Sequence, residues 1–364
     1  MIRQELMRRD LPDLLLTPDG KRITDATQWE RVMRPYWRSL LQSQIYGKLP
    51  PVIPFETEVK KIKISFAGKA SYEEVTFRFQ NGEKHHSVTA SLIAPLGDKP
   101  LPFFIHLNFR PDIPDRYQPT EEILDNGFGI FSVCHKDVTT DDGDFTNGLA
   151  GLFAAEGERA PDETGKLCYW AWMAMRMMDY LHTRPEADRE RIGVAGHSRL
   201  GKTALLCAAL DERFAFACAN DSGCSGAALS RGCCEGGEDV AAICRTFPHW
   251  FCPNYLQYAN NVETLPLDQH ALIALIAPRR VMVGGAELDV WADNTSQFLS
   301  LAAASPVWEL YGKAGLITPP TIPTVGERRT DGELGFHLRQ GKHFFSRSDW
   351  LIYMDVLQNA YFKE

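Results

Sequence analysis

The chain has 364 residues, 44% of them hydrophobic, which is enough to bury a large core. Its formal net charge of −8 argues against nucleic acid or an anionic membrane as a partner. Uninterrupted apolar runs such as His270 to Pro278 are too short to cross a bilayer.

The N-terminus, Met1-Ile-Arg-Gln-Glu-Leu-Met-Arg-Arg-Asp10, is interrupted by charges and holds no apolar signal core. The chain as it stands is expected in the cytoplasm, and outside the cell if a leader has been removed. Residues 1–50 read as an N-terminal arm on a single domain of 1–364. Helical apolar spacing runs from Trp29 to Tyr46, and the arm ends at Gly47-Lys-Leu-Pro-Pro51. Alternation over Ile62 to Phe66, Glu74 to Phe79 and Ser87 to Ile93 predicts half-buried antiparallel strands.

The pattern then changes. Pro102 to Asn108 and Gly127 to Cys134 are mostly apolar, as expected of strands covered on both faces. Leu167 to Leu181 predicts a long helix. Arg191 to Gly196 predicts a buried strand, followed by a helix over Leu200 to Leu210. Strands over Phe214 to Asn220 and Arg280 to Gly284 and a closing helix from Asp349 to Tyr361 complete the series. Strands alternating with helices imply a parallel sheet with right-handed crossovers. The fold class is therefore α/β: an α/β-hydrolase three-layer sandwich, mostly parallel, with antiparallel strands leading in.

Gly196-His-Ser-Arg-Leu-Gly201 is the motif with chemical content. A strand that turns sharply into a helix holds a serine at the tip, and small neighbours let the backbone close. The helix N-terminus then offers N–H groups to a developing oxyanion. A plain strand–turn–helix with a serine N-cap is the bland alternative. Ser198 needs a base, and the fold's order is Ser, acid, His. Only His337 and His343 lie beyond the strand at Arg280. His343, in the loop Gln340-Gly-Lys-His343, is the candidate base, whereas strand-like neighbours make His337 structural. Asp289, just after the Arg280 strand, Asp221, after the Phe214 strand, and Glu287 are candidate acids, with Asp289 ranked first, Asp221 second and Glu287 third. Each alone could be a loop carboxylate. Asp268 and His270 read as loop braces.

The nine cysteines lack the repeated spacing of a metal site, so no metal or cofactor is expected and reduced thiols are the default. Cys207 and Cys218 sit in apolar runs and read as small hydrophobes.

Together Val194-Ala-Gly-His-Ser-Arg-Leu-Gly-Lys-Thr-Ala-Leu205, Asn220-Asp-Ser-Gly-Cys-Ser-Gly226, Phe247-Pro-His-Trp-Phe-Cys252, Leu265-Pro-Leu-Asp-Gln-His270, Leu275-Ile-Ala-Pro-Arg279 and Gly335-Phe-His-Leu-Arg-Gln-Gly-Lys-His343 resemble the glucuronoyl esterases, carbohydrate esterase family 15, most closely bacterial members. The likeness runs from about residue 90 to the end. The resemblance implies hydrolysis of esters that join glucuronate on xylan to lignin alcohols, with Ser198 as nucleophile. It implies that Arg199 helps hold the oxyanion, that Lys202 bonds sugar hydroxyls, and that Trp291 lies against the substrate ring. The family's acid is often a glutamate at the position of Asp221, and some bacterial members use the position of Asp289. Phe247 stands where fungal members carry a substrate-binding glutamate, and Glu238 upstream is the candidate substitute. An acetyl-xylan or acetyl-oligosaccharide esterase and an inactive carbohydrate-binding relative are the competing readings. The expected partner is a small or oligosaccharide ester; the sequence does not fix the oligomeric state.

Overall fold

Ten strands form one sheet at the centre of the computed structural model, which describes residues 1–63 and 66–361. The strands are β1 (Phe55–Ile62), β2 (Ala70–Asn81), β3 (Lys84–Pro95), β4 (Leu101–Asn108), β5 (Gly129–Cys134), β6 (Ala187–His197), β7 (Phe216–Asn220), β8 (Arg280–Ala286), β9 (Arg328–Arg329) and β10 (Leu334–Arg339). Their spatial order is β1-β2-β3-β5-β4-β6-β7-β8-β10-β9. Pairing is parallel from β5 through β4, β6, β7 and β8 to β10. It is antiparallel among β1, β2, β3 and β5, and between β9 and β10. This is the α/β-hydrolase arrangement.

The two strand types follow from what covers them. In β2, Val75, Phe77 and Phe79 turn inward while Glu74, Thr76 and Arg78 stay partly or fully exposed, so the alternation in the sequence is real. β5 and β7 are buried throughout, as is β4 apart from a half-buried first residue, because helices lie on both faces. On one face lie Lys166–Leu181 and Arg199–Leu210, packed into the larger apolar cluster. On the other, Trp350, Tyr353 and Met354 of the helix Arg347–Tyr361 pack on Phe104, Phe216 and Met282.

The expected strand over Ile62 to Phe66 is displaced. The strand ends at Ile62; Phe66 and Ala67 take left-handed φ values of 49° and 58° in the turn to β2, and 64 and 65 lie outside the described residues. The real strand upstream, Phe55–Ile62, is almost wholly exposed and rich in Glu and Lys, so hydrophobic alternation could not reveal it. It is held by the β2 ladder and by pairs such as Lys60–Glu74 at 3.0 Å.

The N-terminal segment packs on the core. Trp29, Met33, Trp37, Leu41, Ile45 and Tyr46, from a run of helix with wider π turns at Trp29–Met33 and Gln42–Tyr46, enter the larger cluster. Arg34 donates to Leu275 O (2.6 Å) and to Ala277 O, tying the arm to the turn before β8. Asp268 accepts from the N–H groups of Ser230, Arg231 and Gln269, and His270 Nε2 meets Pro12 O at 2.9 Å, so both brace loops. All nine cysteines are unpaired, with Cys207 and Cys218 fully buried.

Candidate active site

Four consecutive parallel strands of the sheet, β6, β7, β8 and β10, deliver the site from their carboxyl ends, where open α/β sheets bind ligands. Ser198 follows β6, Asp221 follows β7, Asp289 follows β8 by a short loop, and His343 follows β10.

Ser198 has φ 57° and ψ −127°, a region that side chains rarely adopt, and it is the residue between β6 and its helix. Ser198 N donates to Asn220 O at 2.8 Å, and Ser198 O accepts from Gly201 N (2.9 Å) and Lys202 N (3.1 Å). Contact forbids a side chain at the first glycine of the motif and leaves little room for one at the second. A Cβ at Gly196 would lie 2.1 Å from Leu200 O, and one at Gly201 would sit 3.1 Å from Asn220 O and 3.2 Å from the Ser222 side chain. The second glycine, one position later than usual, therefore serves the approach of the helix to β7. Ser198 makes no side-chain cap bond, which sets aside the N-cap alternative.

His343 Nδ1 is 2.6 Å from Asp289 Oδ2. Its ring lies 4.4 Å between centroids from that of His197, the neighbour of Ser198, tilted by 43°. Asp289 is buried and His343 is half exposed. Asp221 lies close to both, within 4.8 Å, yet neither of its oxygens has a hydrogen-bond partner among the described residues. Its nearest charged neighbours are Arg339 Nη2 at 3.5 Å and His197 Nδ1 at 4.0 Å. Burial pushes the Asp221 carboxyl well above the usual range; the charges of Asp289 and Asp349 push the same way and Arg339 opposes them. Of the candidate acids, Asp289 is thus the one bonded to the imidazole. Asp221, Asp289 and His343 are also close enough to share an ion, but the Nδ1–Oδ2 hydrogen bond already partners the imidazole and Asp289.

His337 lies within the last parallel strand, β10, rather than beyond it, and is bonded through Nε2 to Asp349 Oδ1 at 2.8 Å. It is buried and is not among the residues that line the cleft.

All eight residues singled out from the sequence, Ser198, Arg199, Lys202, Asp221, Glu238, Asp289, Trp291 and His343, line one cleft of about 340 Å³. Lys202 is buried, and its Nζ donates to Ser222 O (2.6 Å) and Cys224 O (2.5 Å), with Glu238 Oε2 at 3.5 Å. It therefore also pins the loop after β7. Trp291 is 53% exposed, so its ring is no part of the core. Arg199 is paired with Asp141. In the loop after Asn108, Phe109 N–H donates to Asn108 Oδ1 at 2.8 Å and so is not free to serve an oxyanion.

Phe247 and Trp250 also line the cleft, stacked at 3.9 Å and 1°. The motif Phe247-Pro-His-Trp250 was visible in the sequence, but the ring stack that makes both residues wall the cleft was not. Ser222 and Gly223, on the loop after β7, complete that side.

A family profile described as glucuronyl esterase, fungi, matches residues 77–312, and a carbohydrate esterase of an unknown prokaryotic organism is 32% identical over 95% of this chain and 88% of its own. The chain belongs to the glucuronoyl esterase family. A glucuronoyl esterase from Solibacter usitatus superposes with a TM-score of 0.89 at 33% identity, covering 96% of this chain and 98% of that one. The 4-O-methyl-glucuronoyl methylesterase of Schizophyllum commune is 29% identical over 83% of this chain and 74% of its own length. As a member of the glucuronoyl esterase family the chain is a carboxylic ester hydrolase with an α/β-hydrolase fold.

Proposed function

We infer that this chain hydrolyses glucuronoyl esters, with 4-O-methyl-glucuronate as the acyl group, through an acyl-enzyme on Ser198. The observation that carries the reading is a serine on a strained turn sharing one cleft with an imidazole bonded to a buried carboxylate. The likeness to a relative named 4-O-methyl-glucuronoyl methylesterase supports the acyl group.

In this reading His343 takes the Ser198 proton as Oγ attacks the ester carbonyl. Asp289, accepting from Nδ1, holds the ring with Nε2 toward the serine and offsets the imidazolium charge. The Arg199 N–H begins the helix and has no carbonyl one turn back to bond, so it and the Arg199 guanidinium stabilise the oxyanion. Collapse of the tetrahedral intermediate breaks the bond to the alcohol, which leaves with the proton from His343. Water then attacks the acyl-serine, giving its proton to His343, and the uronic acid departs with Ser198 restored. Lys202, Glu238 and Trp291 read the sugar.

The test is Ser198→Ala with a substrate panel. The variant keeps its fold and loses ester cleavage, while the wild type prefers methyl glucuronate to acetylated xylo-oligosaccharide. Turnover retained by the variant would refute the nucleophile, and a preference for the acetylated sugar would replace the uronate by an acetyl-ester reading.

A further inference from the structure

We propose that Asp141 is a positioning residue for this esterase, fixing through an ion pair the Arg199 guanidinium that stabilises the oxyanion. The inference rests on the esterase reading above. Arg199 donates from Nη1 to Asp141 Oδ2, and no other hydrogen-bond partner among the described residues takes its side chain. The same carboxylate accepts from Trp250 Nε1 at 2.7 Å, with His249 Nε2 at 3.2 Å and His135 Nε2 at 3.5 Å. Asp141 is 6% exposed and does not line the cleft.

The guanidinium also lies over aromatic rings. Its central carbon lies 4.7 Å from the Trp250 ring and 5.2 Å from that of Phe247. Asp141 itself sits on an anchored segment. Buried Lys166 donates to Thr139 Oγ1 (2.9 Å) and Asp144 O (2.5 Å), and Thr140 N donates to Asn147 Oδ1 (3.1 Å). Burial alone would push the Asp141 carboxyl up. The contacts with His135, His249 and Trp250 and the Arg199 charge outweigh it and hold the group far below the usual range, so it stays ionised.

A free arginine side chain would lose rotamer entropy on settling over an oxyanion. An oxyanion donor is most effective when already in place, because it then needs no reorganisation as charge develops. Asp141 removes that freedom before substrate arrives. It cannot touch the substrate from outside the cleft, so its effect passes through Arg199 and belongs to the chemical step.

The test is a double-mutant cycle of Asp141→Asn and Arg199→Ala, read as kcat and KM on benzyl glucuronate. Removing one oxyanion donor costs about 100- to 1000-fold in kcat, and Asp141→Asn should lose roughly 10- to 100-fold of that with KM within about threefold. In the Arg199→Ala background, Asp141→Asn should cost nothing further, since residues acting as a unit are not additive. Losses that multiply, or a rise in KM with kcat intact, would overturn the proposal, as would an Arg199→Ala enzyme with full kcat. Trp250→Phe keeps the ring and removes a donor to Asp141. It should give a smaller kcat loss that Arg199→Ala likewise absorbs, and it carries the test if Asp141→Asn does not fold. Ser198→Ala separates the two readings. Turnover in that variant sinks the esterase reading, whereas a dead Ser198→Ala, a damaged Arg199→Ala and an additive Asp141→Asn sink only the role of Asp141.

Discussion

Replacing Asp289 by Asn while separately replacing Asp221 by Asn asks which carboxylate serves the base. Asp289 Oδ2 is 2.6 Å from His343 Nδ1, so the amide there either presents N–H to a ring that must donate or turns its weaker carbonyl to it. Loss of the analogous acid in a serine protease costs about 10⁴ in kcat, and with His343 half exposed and able to find water a loss of about 10³ is expected, or roughly 4 kcal/mol at 1.36 kcal/mol per decade. Asp221 makes no side-chain hydrogen bond among the described residues, and burial disfavours its charged form, so asparagine there removes no bond on which the imidazole depends. Its change should cost less than about tenfold, on the scale of a neutral hydrogen-bond rearrangement. Steady-state kcat on a glucuronate ester, with unfolding curves to confirm folding, decides it. Equal, mild losses for the two variants would refute the assignment, as would a larger loss for Asp221→Asn.

Trp291→Ala should raise KM roughly 5- to 30-fold, the worth of about 1–2 kcal/mol of ring contact, with an unchanged melting temperature because the ring is exposed; a large fall in stability would contradict it. Gly196→Ala should yield little folded, active enzyme, since its Cβ would sit 2.1 Å from Leu200 O; circular dichroism and turnover check this, and a stable active variant would refute the close approach. Asp349→Asn should cost about 3 kcal/mol of stability, because Arg339 and His337 would lose the anion they share; an unfolding midpoint within error of wild type would contradict it. Stability should also fall in mild acid. Burial pushes His106 down to about 4, and burial together with the charge of His343 pushes His197 down to about 3. An unfolded histidine takes its proton near 6.5, so below that pH the unfolded chain binds more protons and the folded state loses ground until the folded pKa is passed. His106 alone contributes about 3 kcal/mol, present in full above pH ~6.5 and lost toward pH ~4; urea midpoints that stay level between those limits would refute it.

The parallel half of the fold was legible because its strands are continuous apolar runs between helices, and β4 to β8 fall within a few residues of where the sequence puts them. β1 was not, since an exposed edge strand of Glu and Lys leaves no hydrophobic period to read. The turn around Ser198 announces itself locally, as does the loop of His343. The choice between Asp289 and Asp221 does not. Both follow neighbouring strands, and only distance separates the carboxylate bonded to the imidazole from the one with no hydrogen bond among the described residues. Asp141 was invisible for a related reason. It lies among Thr139-Thr-Asp-Asp-Gly-Asp144, where every residue is a turn former, and what singles it out is contact with Arg199, Trp250 and His249, brought in from far along the chain.

The most direct test of the account is stoichiometric phosphonylation with a fluorophosphonate, followed by peptide mapping and a parallel esterase assay. One phosphonyl group on Ser198, with esterase activity falling in proportion to its occupancy, is the predicted result. Full activity in protein quantitatively modified at Ser198, or inactivation with the label on another residue, would contradict it.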